Sequence, residues 1–503
     1  MRGLTLRSLS KIDFQVKDTF LLTLIVALFY FVNTIYFYTS PDEYYYILTA
    51  MQLAEGNPIT VRLDSSLLSV DLVPTTKPNL YISKYPIGQS LLIAVFYAIG
   101  GYPFIFYMNG IFSIFAVLLT YFIAFEISKD RMCSITSALL LGIVPPMVFY
   151  SRTLLSDLPS TTFLLCSYFF YIKASKKNKY LFYLISSFSL GFATLLRNVN
   201  IIFLFPVLLN QIRTKKLGVL VTYLYYIPLI PFFCVNGLYN AYFFGNFFTT
   251  GYHLTGEAFN FGFENIVIHL PQYFLVLNFF PPIGLITTVL YTRKKLAEDA
   301  HFISLVTVLS FLLFYSGYVF LPFEIEHLFI EATRFVLVIL PYLCINTVTW
   351  FYERIKTRNL FYGLLVGTLI TFVIINIVMI SEYNSFKCKL VYYRDLFYTN
   401  TQPDSLIIGD DTWDKLFHPY FSRTYGERYY LRYNSISEDK MTEELIPFVD
   451  NWLNDKTVYF IDDPYVESNI HDIILQLLTE RYSLHSIIAT NHPYTVELFR
   501  VTN

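Results

Sequence analysis

Long apolar runs recur along almost the whole chain, at 19–39, 103–127, 132–150, 157–174, 180–196, 198–212, 218–243, 266–292, 301–320, 334–352 and 360–381. About 20 apolar residues in a helix cross a bilayer core of about 30 Å, and hydrocarbon tolerates only backbone whose polar groups bond internally. Such a chain is expected to fold as a polytopic α-helical membrane protein of about eleven transmembrane helices. Charged residues make up 15% of the 503, against about 25% in soluble domains, which excludes a soluble multidomain enzyme. A shorter apolar stretch, 86–100, is expected to lie on or dip into the outer leaflet.

The loops set the orientation. Basic residues gather at Arg2, Arg7, Lys11 and Lys17, at Lys129 and Arg131, at Lys173 to Lys179, at Arg213 to Lys216, at Arg293 to Lys295 and at Arg354 to Arg358. With 86–100 outside, these fall in every second connection, and cations near span ends stay on the cytoplasmic side. The N-terminus is therefore expected in the cytoplasm, with a retained signal anchor as its first span, and the chain after about 382 outside the plasma membrane. The 36 Lys and Arg against 37 Asp and Glu give a net charge of -1, so nothing points to nucleic acid as a partner. Cys133, Cys166, Cys234, Cys344 and Cys388 contain no Cys-x-x-Cys pair and indicate neither a disulfide framework nor a zinc site.

Two domains follow. Residues 1–382 form the membrane module with a large first outer loop, 40–102, and 383–503 form a small extracytoplasmic α/β domain. In that tail, strands are expected at 405–409, 456–461, 484–489 and 494–501, and helices at 443–453 and 469–482.

Polar groups at the outer ends of spans are the functional candidates, because stranded charge is costly in a membrane. Ser40, Pro41 and Glu43 match an N-cap, a first-turn proline and the third-position acid of a capping box, whereas Asp42 is not needed by that box. Asp157, two residues before Pro159, opens another span and suits a cap as well as a site. Glu324, His327 and Glu331 have helical spacing suited to a metal but more often found on a solvated face. His253 and Glu257 read as loop polar residues. Asp410, Asp411, Trp413, Asp462 and Asp463 follow strands, where turns are commoner than ligand sites.

Asp42-Glu-x-x-Tyr46, with Ala50 and Leu53 before Glu55-Gly-Asn57, then Lys84-Tyr-Pro-Ile-Gly88, Arg152 to Asp157, and Arg334 ahead of Pro341, resembles the GT-C glycosyltransferases of the protein O-mannosyltransferase and lipid A aminoarabinose transferase type. The resemblance covers roughly 15–381, with Tyr85 replacing a proline of the family pattern. It implies a GT-C fold and transfer of a sugar from a polyprenyl- or dolichyl-phosphate donor to an extracytoplasmic acceptor, a protein, lipid or glycan, with inversion. On that basis Asp42 is the expected base, with Glu43 orienting it and Asp157 assisting. Lys84, Arg152, Arg197 and Arg334 are expected to bind the donor phosphate, Arg197 and Arg334 foremost for their apolar neighbours. Tyr46 and Tyr85 are expected to contact substrate. No cofactor is required, although the acids permit a divalent cation. The rival readings are a transporter or lipid-linked-glycan flippase, a ligase of lipid-linked polymer, and a surface scaffold. A transporter would be expected to carry inverted repeats and midplane charges, whereas the charges here gather at span ends.

Overall fold

The structure is a computed structural model that describes residues 6–62, 72–177, 179–214, 223, 225–318, 331–355, 357–409, 413–417, 428–432, 445–463, 469–490 and 496–502. The chain forms two compact units. Met1–Thr34, Pro86–Tyr242 and Asn246–Glu382 make the first, and Ile35–Tyr85, Phe243–Gly245 and Tyr383–Asn503 the second. The outer loop up to Tyr85 thus groups with the tail, where the sequence joined it to the spans.

In chain order the helices are α1 (Leu6–Phe31), α2 (Pro41–Ala54), α3 (Ile87–Ile105), α4 (Met108–Ser128), α5 (Arg131–Ile143), α6 (Pro145–Ser151), α7 (Asp157–Lys177), α8 (Tyr180–Leu196), α9 (Leu204–Arg213), α10 (Ile230–Phe244), α11 (Gly251–Leu254), α12 (Phe263–Phe279), α13 (Gly284–Lys294), α14 (Asp299–Ser316), α15 (Glu331–Val336), α16 (Leu340–Arg354), α17 (Arg358–Asn400), α18 (Ile446–Asp455) and α19 (Asn469–Arg481). The described part of each expected apolar run is largely helical. Six of the described helices are long and apolar enough to cross a membrane, or up to eight if each of two bent pairs is one crossing. The sequence already counted each bent pair as one run, and its larger number comes from other runs, such as 180–196 and 198–212, whose helices are short. The α5–α6 pair turns by 59° ahead of Pro145 and Pro146, and the α12–α13 pair by 87° around Pro281 and Pro282, where the missing N–H interrupts the helix ladder. At 17 and 10 residues, α8 and α9 are shorter than a crossing.

Two further differences concern ends. The first helix stops at Phe31 rather than 39, with Asn33 in the left-handed region at φ 53°. Residues 86–100 lie within and just before the 19-residue α3, whose length and composition would also allow a crossing; its backbone leaves helical geometry at Gly101, φ 69°. The charge inside α1 is compensated, since buried Asp18 accepts from Arg131 at 2.9 and 2.6 Å and from Tyr121 at 2.9 Å.

The second unit contains two sheets. Strands β1 (Val61–Arg62), β2 (Leu72–Pro74) and β3 (Leu80–Ser83) form a small antiparallel sheet in the order β1-β3-β2. In the tail, β4 (Ser405–Gly409), β5 (Arg428–Arg432), β6 (Val458–Asp462), β7 (Ser483–Thr490) and β8 (Val496–Thr502) take the order β5-β4-β6-β8-β7. Strand β4 is parallel to both neighbours, and β8 is antiparallel to both of its own. Leu406, Ile408, Val458 and Phe460 pack with Val449 of α18 and with Ile474 and Leu478 of α19 into one core. The molecule is a multi-pass α-helical membrane protein with a small C-terminal α/β region.

Candidate active site

In the second unit the start of α2 separates two adjacent acids. Ser40 Oγ accepts the Glu43 N–H at 3.3 Å, while Glu43 Oε2 accepts from the Ser40 and Thr39 N–H groups at 3.1 and 2.8 Å and from Thr39 Oγ1 at 3.2 Å. These bonds satisfy backbone donors that a helix start leaves open, and they bury Glu43. Half-buried Asp42 instead accepts a hydrogen bond on Oδ1 from the Tyr85 hydroxyl. The Tyr85 ring lies 4.9 Å from that of Tyr46, and Lys84 Nζ lies 5.5 Å from the Tyr85 ring. Four expected site residues, Asp42, Tyr46, Lys84 and Tyr85, are thereby gathered. Tyr46 is only 2% exposed, and its ring packs against Tyr85.

The segment ahead of α2 is fastened by residues the sequence reading passed over. Thr39 Oγ1 and the Tyr383 hydroxyl are 3.2 Å apart, and buried Lys387 donates to the Ile35 carbonyl at 3.5 Å while lying over the Tyr383 ring. Nothing local marks Tyr383 or Lys387, which are more than 300 residues from the loop they hold.

In the first unit, Asp157 opens α7 and is buried. Arg197 Nη1 donates to its Oδ1, and Arg334 Nε donates to its Oδ2 at 3.1 Å. Both guanidinium groups lie near the Phe335 ring, at 5.9 and 5.7 Å. Arg197 comes from the turn that ends α8, its N–H bonded to the Ala193 carbonyl at 3.0 Å, and Arg334 comes from α15. Two cations share one carboxylate, which leaves this trio with a net positive charge. The arginine side chains are 17% and 23% exposed, so they are held firmly yet remain reachable.

Arg152 is used differently. It donates to the carbonyls of Phe29, Tyr30, Val32 and Asn33 at 2.9 to 3.4 Å, across the C-terminal end of α1. A cation there meets open carbonyls and the negative end of the helix dipole. These carbonyls are the partners the structure gives Arg152, which was expected on the donor phosphate.

Among the described residues, no group of three or more His, Cys, Asp or Glu is placed to hold a metal ion. Glu324, His327, Asp410 and Asp411 lie outside the described residues, and Glu331 begins α15. His253 Nδ1 accepts the Thr250 N–H at 3.1 Å in a local cap, and Glu257 opens a one-turn 3₁₀ helix. Asp462 pairs with His471 Nε2 at 2.9 Å, and buried Trp413 packs on Tyr393 and Phe397.

Residues 84–236 match a family model described as dolichyl-phosphate-mannose-protein mannosyltransferase. No curated protein is significantly similar to the chain. Among solved structures, ArnT from Cupriavidus metallidurans bound to undecaprenyl phosphate is similar with a TM-score of 0.60 at 12% identity, over 95% of this chain and 97% of that one. The Archaeoglobus fulgidus oligosaccharyltransferase in complex with Zn and sulfate gives a TM-score of 0.57 at 12% identity, over 97% and 73%. AglB of the same organism, with an inhibitory peptide and a dolichol-phosphate, gives 0.54 at 12% identity, over 95% and 73%. The chain therefore has the fold of the GT-C superfamily of membrane glycosyltransferases, the group it resembles in sequence.

Proposed function

We propose that this protein transfers a sugar from a polyprenyl- or dolichyl-phosphate donor to an acceptor hydroxyl outside the cytoplasm, with inversion at the anomeric carbon. The carrying observation is the division of labour at the start of α2, where Glu43 makes the cap and Asp42 is turned to Tyr85. In the proposed step the acceptor oxygen bonds to the anomeric carbon. The bond from that carbon to the donor phosphate oxygen breaks, its electrons staying on the phosphate, and Asp42 takes the acceptor's proton. Tyr85 fixes the direction of the Asp42 carboxylate.

The departing lipid phosphate gains negative charge, best met by cations already in place. We assign this role to Arg197 and Arg334, which Asp157 restrains, and to Lys84. The donor class is supported by the family description and by the undecaprenyl phosphate and dolichol-phosphate of the structural relatives. The pattern of basic loops supports a cytoplasmic N-terminus and an outer tail.

The test uses purified protein in nanodiscs given polyprenyl phosphates carrying different sugars and membrane extract as acceptor, with and without chelator. Release of free polyprenyl phosphate from one donor supports the reading. Movement of intact donor between leaflets without release would favour a flippase instead.

A further inference from the structure

The five residues joining α6 to α7, Arg152 to Ser156, are all buried although they form no helix or strand. A buried connection needs partners for its backbone groups. Two amides from different helices supply them. Gln89 of α3 donates Nε2 to the Leu154 carbonyl at 2.6 Å, and Asn109 of α4 donates Nδ2 to the Leu155 carbonyl at 2.8 Å and to that of Tyr150 at 3.4 Å. Both amides are fully buried. Two residues after Leu155 comes Asp157, the carboxylate between the two arginines.

A second observation shows that packing alone does not account for these amides. Gln89 Oε1 and Asn109 Oδ1 are buried without a hydrogen-bond partner among the described residues. An unpaired buried acceptor is a penalty that an apolar side chain of the same size would avoid. The donated bonds must therefore serve a purpose that a greasy residue cannot. Beside Gln89, Gly88 lies so close to the backbone ahead of Arg197 that an added Cβ would fall 2.4 Å from the Leu195 carbonyl oxygen. The start of α3 thus touches both the segment that delivers Asp157 and the segment that delivers Arg197.

We propose that Gln89 and Asn109 are positioning residues, fixing the Arg152 to Ser156 connection so that Asp157 holds Arg197 and Arg334 in the geometry that receives the donor phosphate. This rests on the transferase reading above. Neither amide touches substrate. Their effect passes through the peptide carbonyls of Leu154 and Leu155 to Asp157 and from there to the guanidinium groups.

The experiment uses the full chain in nanodiscs, with undecaprenyl phosphate as the binding probe and its sugar conjugate as donor. Gln89→Met and Asn109→Leu keep size and remove the donor group, and Asn109→Ser, neutral and too short to keep both bonds, serves as a milder variant should either fail to insert. Each is expected to raise the Kd for undecaprenyl phosphate and the donor KM about fivefold, the worth of one hydrogen bond, with kcat changed less. A lowered unfolding midpoint with unchanged Kd and KM well below that midpoint would overturn the proposal, because a purely structural amide gives that result. Arg334→Gln separates the two levels. If it weakens binding while the amide variants do not, the positioning role fails alone; if wild type does not bind the probe, or Arg334→Gln binds like wild type, the transferase reading falls and this proposal with it.

Discussion

Asp157→Asn removes the carboxylate charge that pairs with both guanidinium groups while keeping the side-chain size. The remaining amide oxygen accepts a bond from one arginine, but the amide NH2 faces the other as donor against donor. One charge-assisted hydrogen bond is lost, worth about 1.5–3 kcal/mol. The two cations also lose their shared counterion. Both donate to the two oxygens of one carboxylate, so a mutual separation on the order of 6 Å with an effective dielectric of about 20 gives about 3 kcal/mol of repulsion. Side-chain exposures of 17% and 23% admit solvent that screens part of this. The expected net loss is about 2–4 kcal/mol, larger than the roughly 1 kcal/mol of an ordinary substitution. Unfolding in one detergent would be followed for wild type, Asp157→Asn, Arg334→Gln and the double variant. Removing Arg334 relieves the repulsion, so the double variant should be more stable than additivity predicts by at least about 1 kcal/mol. Strict additivity, or Asp157→Asn within about 0.5 kcal/mol of wild type, would refute the idea that the three residues act as one electrostatic unit.

Tyr85→Phe removes the hydrogen bond to Asp42 and leaves the ring contact with Tyr46, so turnover should fall about tenfold, as expected for loss of one bond to a charged group, while the unfolding midpoint moves little; equal turnover would separate Tyr85 from the reaction. Gly88→Ala places a Cβ 2.4 Å from the Leu195 carbonyl oxygen, a backbone atom that cannot swing aside, and should destabilise by about 1–3 kcal/mol in the same unfolding assay. In the tail, burial and the Asp450 carboxylate push the Tyr482 phenol up to about 12. The folded chain then keeps a proton that the unfolded chain loses near pH 10, so this contribution is complete below about pH 10 and fades as pH rises toward 12. Near-ultraviolet circular dichroism against pH should show that loss, and Tyr482→Phe should flatten it.

The helices were legible because length and apolarity alone identify segments that hydrocarbon will accept. Their bends were less so, although the Pro145-Pro146 and Pro281-Pro282 pairs mark both of them. The edge strand Arg428–Arg432 escaped because its flanking arginines conceal the Tyr-Tyr-Leu centre. At the site, local grammar was enough to separate Asp42 from Glu43, since capping depends on residues three apart. Charge in an apolar setting pointed to Arg197 and Arg334, but their meeting on Asp157 depends on helix packing that no spacing encodes. The carbonyls that Arg152 meets were equally out of reach of the sequence, since they lie at and just past the end of α1, more than 100 residues earlier. Gln89 and Asn109 gave no signal, because an uncharged amide in an apolar helix is unremarkable until its acceptor is known.

The central claim is that Asp42 takes the acceptor's proton, and single-turnover release of polyprenyl phosphate tests it most directly. Wild type and Asp42→Asn would be compared at matched unfolding midpoints, with donor and acceptor both saturating. The account predicts that the variant binds donor normally but releases lipid phosphate slower by about 10²–10⁴, the usual contribution of a general base. Release by Asp42→Asn at the wild-type rate would contradict it.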